Sequence, residues 1–101
     1  MKLLDTQQIT VFLNELNQHT DNPWSVIEGT LYKQFKFKNF KTAFEFMSQI
    51  ASQAENINHH PDWCNSYNRV TFKLVTHEVE GITGKDFELA NFIESCLQNH
   101  Y

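Results

Sequence analysis

Apolar residues recur at helical spacing from Asp5 to about Gln18, with Ile9, Phe12, Leu13 and Leu16 on one face. Asp5 can cap this helix, and Gln8 stands where a capping-box partner belongs. Asp21-Asn22-Pro23 then breaks the pattern. Trp24 to Ile27 is a short apolar run of strand formers, and Glu28-Gly29-Thr30 reads as a turn. From Leu31 to Phe37 the period drops to two, with Leu31, Lys33, Phe35 and Phe37 on one face. The two runs predict a β-hairpin. Lys33 falls on the apolar side near the turn, so its head is expected to reach water past a buried stem.

Asn39 is suited to cap the next helix, Phe40 to about Asn56. Its apolar stripe reads Phe40, Ala43, Phe44, Met47, Ile50, Ala51 and Ala54, the strongest helical signal in the chain. Trp63 to Tyr67 and Arg69 to Thr76 predict a second hairpin, with Val70, Phe72 and Leu74 alternating against Thr71 and Lys73. His77 falls at the end of that strand. Gly81 to Gly84 turns the chain, and Thr83 with Asp86 forms a T-x-x-D capping box for a last helix. Phe87, Ala90, Ile93 and Leu97 make its buried stripe. The order helix, strand, strand, helix, strand, strand, helix has no parallel crossover. It predicts an α+β fold, a four-stranded antiparallel sheet with three helices packed on one face. A free sheet edge remains, and subunit association is one way to cover it.

The length of 101 residues fits one domain, 1–101, and 41% hydrophobic residues with nine phenylalanines suffice for a filled core. A net charge of −4 argues against a nucleic-acid partner, because phosphate affinity needs a basic patch. No apolar run approaches a bilayer span, and the start, Met1-Lys2-Leu3-Leu4-Asp5, meets an acid too soon for a signal peptide. Cys64 and Cys96 lie far apart without a CxxC pattern and read as reduced thiols of a cytoplasmic protein.

Three of the five histidines lie in two stretches, His59-His60-Pro61 and Thr76-His77-Glu78. An imidazole's unperturbed pKa, about 6.5, suits it to proton transfer or metal ligation. His59, His60, Cys64 and His77 could ligate zinc, but neighbouring histidines in an extended segment diverge and no CxxC or HExxH pattern is present. Nothing marks Cys64 as an activated nucleophile, and after Trp63 in a strand it is expected to be a buried structural thiol. General acid–base chemistry fits better. Pro61 disfavours the helical region for His60 and stiffens the loop, and His77 at a strand end is expected to converge on the same pocket. Each residue also has a bland reading. His19 and His100 are ordinary surface or satisfied core histidines, Asp86 can be a helix cap, Glu55 a solvated helix end, and Trp24 and Trp63 core.

At these residues the chain resembles the pterin-4a-carbinolamine dehydratase family. The likeness starts at Trp24 with Ile27-Glu28-Gly29, then Lys33-Gln34-Phe35, Phe37-Lys38, Ala43-Phe44, Phe46-Met47 and Ala54-Glu55. It continues through His59-His60-Pro61, Trp63, Tyr67-Asn68, Val70 and Thr76-His77-Glu78 to Asp86, Leu89-Ala90 and Phe92-Ile93-Glu94. The resemblance implies a hydro-lyase that dehydrates 4a-hydroxytetrahydropterin to quinonoid dihydropterin. That step recycles the tetrahydrobiopterin-type cofactor of aromatic amino-acid hydroxylases, to which it implies a functional link. The family's fold matches the one derived above, assembled as homodimers or homotetramers, with no metal and no cofactor beyond the pterin substrate. His59, His60 and His77 match the family's active-site histidines, and Asp86 an acidic residue near them; these four are the candidate catalytic residues. Asn58, Thr76, Glu78, Trp24 and Glu55 join the histidines as candidates for substrate binding. Asn58 stands where animal members often carry an acid, and the turn around Gly29 is shorter than theirs. The animal enzyme's partnership with a homeodomain transcription factor is not carried over. The competing expectation is a binding or assembly module that keeps the fold without catalysis; all three histidines being present favours the enzyme.

Overall fold

A computed structural model describes residues 2–97 of the chain. Helix α1 (Thr6–Leu16) opens with both halves of the capping box: the Asp5 carboxylate accepts from the Gln8 N–H at 2.8 Å, and the Gln8 side-chain oxygen accepts from the Asp5 N–H at 2.9 Å. It stops at Leu16, short of Gln18, because Asn17 turns its amide onto the chain ahead. Asn17 Oδ1 accepts from the Trp24 N–H at 2.7 Å, and Nδ2 donates to the Trp24 carbonyl at 3.0 Å. This clasp fixes the loop through Pro23 and delivers Trp24 to the core.

Strands β1 (Ser25–Ile27) and β2 (Thr30–Lys36) form the first hairpin. Glu28 and Gly29 at its tip take φ of 51° and 74°, as both central residues of a type I′ turn must. Strands β3 (Asp62–Ser66) and β4 (Arg69–Leu74) form the second. The hairpins join through β2 and β4, from Leu31 opposite Leu74 to Lys36 opposite Arg69, giving an antiparallel sheet of order β1-β2-β4-β3. Helices α2 (Phe40–Asn56) and α3 (Gly84–Cys96) complete the α-β-β-α-β-β-α order. Asn39 caps α2 through Oδ1, which accepts from the Thr42 N–H at 2.8 Å.

The core lies between the helices and the inner sheet face, where Leu31, Phe35, Val70, Phe72 and Leu74 are buried. Phe35 is its aromatic hub, with ring centroids 5.4 Å from Phe46, 5.7 Å from Phe72 and 6.0 Å from Trp24. α3 buries Phe87, Leu89, Ala90, Ile93 and Cys96, while Leu97 packs at the margin. Among the described residues no helix is long and apolar enough to cross a membrane.

Three expectations are corrected. α2 is rotated from its expected stripe: Thr42, Ala43, Phe46, Ile50 and Ala54 are buried, whereas Phe40, Phe44 and Ala51 are exposed. Apolar residues cover more than half a turn there, and Phe46 wins because it fits between Phe35 and Phe37, the latter at 4.8 Å. Lys33 does not reach water. Its side chain is 1% exposed, and Nζ donates to Glu94 Oε2 at 2.7 Å and lies 4.5 Å from the Phe35 ring centre. A carboxylate from α3 makes this burial tolerable. Cys64 is exposed on the outer sheet face beside Thr71, not buried. Cys96 is buried, and desolvation pushes its thiol above the ordinary cysteine value, against a hydrogen bond with the Ser95 side chain. His19 is exposed; His100 and Met1 lie outside the described residues.

Candidate active site

The site is built where α2 ends. Ile57 is the C-cap, and Asn58 follows with φ of 51°, a left-handed conformation that asparagine tolerates better than most residues. The Asn58 N–H donates to the Glu55 carbonyl at 3.3 Å and the His59 N–H to the Ala54 carbonyl at 3.0 Å, the paired bonds of a Schellman motif. This reversal turns His59 inward to 7% exposure, while His60 keeps 57% of its side chain in solvent. β3 starts directly after Pro61, so the histidine loop is clamped between a helix end and a strand start.

His59 meets a buried hub. Its Nε2 lies 2.7 Å from Oδ1 of Asp86, a residue with no exposed surface. Asp86 Oδ2 accepts from the Thr76 hydroxyl and from the Thr83 N–H, each at 2.9 Å. The second bond is half of the capping box of α3, so one carboxylate both starts a helix and fixes an imidazole. An ionised carboxylate can only accept, so Nε2 of His59 carries the hydrogen. The Thr76 and Thr83 hydroxyls lie 2.8 Å apart and close the network.

His77 arrives by a local fold that periodicity did not predict. After β4, Thr76 pairs with Gly81 across a bridge, its N–H donating to the Gly81 carbonyl at 2.8 Å. The loop between them forms one 3-10 turn, His77–Val79, ended by Glu80 at φ 54°. His77 Nε2 lies 2.9 Å from Asp62 Oδ2, and His60 Nε2 is hydrogen-bonded to Glu55 Oε2. Each of the three histidines therefore faces a carboxylate of its own.

A cleft of about 120 Å³ lies between them, lined by Asn58, His59, His60, Val75, His77 and Glu78. Of the candidate residues, Thr76 and Asp86 stand behind its wall, both fully buried, and Glu55 stands outside it beside His60. Trp24 is core: it is 1% exposed, and its Nε1–H donates to Glu94 Oε2 at 3.0 Å. Asp62 and Val75 were not foreseen, although Asp62 directly follows His59-His60-Pro61 and Val75 continues the outward alternation of Thr71 and Lys73. Two roomier hollows of about 230 and 320 Å³ share Lys73 as a wall and hold no imidazole. The histidine cleft thus has the chemistry although it is the smallest of these spaces. Among the described residues no group of three or more His, Cys, Asp or Glu side chains is arranged to hold a metal ion.

A family model described as pterin 4 alpha carbinolamine dehydratase matches residues 2–96. A relative from Solibacter usitatus (strain Ellin6076) is 52% identical over 67 residues, covering 66% of this chain and 70% of its own length. Another, from Prochlorococcus marinus (strain NATL2A), is 40% identical over 100 residues, covering 98% of this chain and 99% of its own. Each bears the name "Putative pterin-4-alpha-carbinolamine dehydratase". A crystal structure of a transcriptional coactivator/pterin dehydratase from Brucella melitensis superposes with a TM-score of 0.81 at 36% identity, covering 94% of this chain and 98% of that one. A pterin dehydratase-like protein described as a RuBisCO assembly factor in the alpha-carboxysome shares the fold, with a TM-score of 0.61 at 16% identity. On the match that spans residues 2–96, the chain belongs to the pterin 4 alpha carbinolamine dehydratase family.

Proposed function

We propose that this protein dehydrates 4a-hydroxytetrahydropterins to quinonoid dihydropterins by histidine acid–base catalysis. The observation that carries the reading is the common cleft of His59, His60 and His77. The reaction breaks the C4a–O bond, removes the N5 proton and forms the C4a=N5 double bond, releasing water. No electrons are gained or lost overall and the protein has only to give one proton and take another, so imidazoles supply the chemistry and no cofactor beyond the pterin substrate is invoked. One imidazole of the His59–His60 pair takes the N5 proton, and a protonated His77 or its neighbour gives a proton to the departing hydroxyl. Such assistance is typically worth about 10²–10⁴-fold. That is enough for an elimination that already proceeds unaided. The substrate would come from an aromatic amino-acid hydroxylase, whose turnover leaves the pterin hydroxylated at C4a. An exposed, unpaired thiol at Cys64 suits a reducing cytoplasm.

Stopped-flow measurement of 4a-carbinolamine dehydration tests the proposal. The His59/His60/His77 triple-alanine variant is expected to fall to the uncatalysed rate. A folded variant that keeps a catalysed wild-type rate would sink the histidine mechanism, and a wild type no faster than the uncatalysed reaction would leave the binding-module reading.

Self-association belongs to the same proposal. Phe40 and Phe44 stand 48% and 54% exposed on the outer side of α2 with ring centroids 5.9 Å apart, and Met47 and Ala51 continue their stripe. A second copy offering the same stripe would cover it as an isologous contact. Phe44→Glu should then lower the sedimenting mass at micromolar concentration without changing the circular dichroism. An unchanged mass, or a monomeric wild type, removes this contact.

A further inference from the structure

We propose that Asp62 is a positioning residue for His77, fixing its tautomer so that Nδ1 is the nitrogen offered to the substrate. The inference rests on the dehydratase reading above. His77 has little else to hold it: its side chain is 68% exposed, and it begins a single 3-10 turn. Among the described residues, its one side-chain hydrogen bond joins Nε2 to Asp62 Oδ2 at 2.9 Å. An ionised carboxylate has no proton to give, so the imidazole must present Nε2–H to it. Nδ1 is left to take up a proton and, once protonated, to give it to the departing hydroxyl.

Asp62 is well placed for this role. It opens β3 and lies opposite Lys73 of β4, so its backbone is held by the sheet and not by a loop. It also follows His60 by only Pro61, so its bond to His77 ties the histidine loop to the far end of β4 across the cleft mouth. The other polar groups lining that cleft are Asn58, His59, His60 and Glu78, and none of them is hydrogen-bonded to the His77 ring. Asp62 itself is 52% exposed, and exposed pairs of this kind contribute little to stability. The pair therefore acts mainly on where a proton sits.

The test compares wild type with Asp62→Ala and Asp62→Glu by long-range ¹H–¹⁵N spectra of the histidine rings, stopped-flow kinetics and thermal melting. In wild type His77 should show the Nε2–H tautomer. Asp62→Ala should mix the two tautomers and lower kcat about tenfold or more, a milder form of the loss seen when the carboxylate that holds an acid–base imidazole's tautomer is removed, while KM and the melting point stay near wild type. Asp62→Glu should restore both tautomer and kcat in large part. A His77 signal that ignores Asp62→Ala, or a kcat that does, overturns the proposal. A wild type without dehydratase activity overturns the function beneath it, and the tautomer measurement still decides the pairing.

Discussion

Asp86→Ala should lower the unfolding free energy by about 3–5 kcal/mol, the range for breaking a buried pair from one side, and cut dehydration about 100-fold or more by the usual worth of acid–base groups. The loss is large because three donors converge on one carboxylate with no exposed surface: His59 Nε2, the Thr76 hydroxyl and the Thr83 N–H. Each donor left buried and unpaired costs about 1–3 kcal/mol. Asp86→Asn keeps the shape but turns an NH₂ toward one of those donors, so it should recover only part of the stability. Thr83→Ala serves as the control, since it removes a cap worth about 1 kcal/mol and leaves the Asp86 carboxylate facing His59. Thermal melts and stopped-flow rates on the three variants separate the cap from the imidazole. If Asp86→Ala melted within a few degrees of wild type and turned over normally, the hub described above would have no energetic content.

Glu94→Leu should be the second most damaging change, and Lys33→Met should rescue the part of it that comes from the stranded ammonium. Glu94 alone strands the Lys33 ammonium, whose remaining polar neighbour is the Thr20 hydroxyl at 3.4 Å, and removes the acceptor of Trp24 Nε1–H. Removing one partner of a buried pair costs about 3–5 kcal/mol. Glu94 keeps 19% of its side chain exposed, so water can reach the gap and the lower end applies. In the Lys33→Met/Glu94→Leu double variant both charges are gone and apolar atoms fill the space, which is often neutral or stabilising, but the Trp24 Nε1–H still lacks its acceptor and that part of the loss remains. Urea unfolding of both single variants and the double yields the coupling. Additive losses would mean that the pair does not hold α3 to the sheet.

These two clusters also mark where sequence reading reaches its limit. The element order, the capping residues Asp5, Asn39 and Thr83, and both hairpins were legible because each rests on residues a few positions apart. Lys33 was misread because its partner Glu94 lies on another element, far along the chain. The face of α2 was misread because a wide apolar arc does not say which edge meets the sheet; that choice depends on Phe35 and Phe37. The histidines were legible as a group, from their types and from the resemblance. The resemblance put Asp86 near them, but which carboxylate faces which imidazole was not legible, since Asp86 meets His59 and Asp62 meets His77 only through the docking of α3 and the pairing of strands. Asp86 shows why a local motif can hide a second job. Its capping role accounts for it locally, and apart from the resemblance nothing nearby in sequence disclosed that its other oxygen faces His59.

The sheet order β1-β2-β4-β3 has a consequence for how the molecule comes into being. Each hairpin can zip by itself, but the central pair joins Leu31 to Leu74 across about forty residues of intervening chain. Such high contact order makes that closure the slow, entropically costly step. His59 hangs from the end of α2, Asp62 opens the second hairpin, and His77 trails it, so no early local fragment holds all three in place. Returning turnover in a refolding mixture therefore registers long-range assembly, not the first appearance of helix or hairpin.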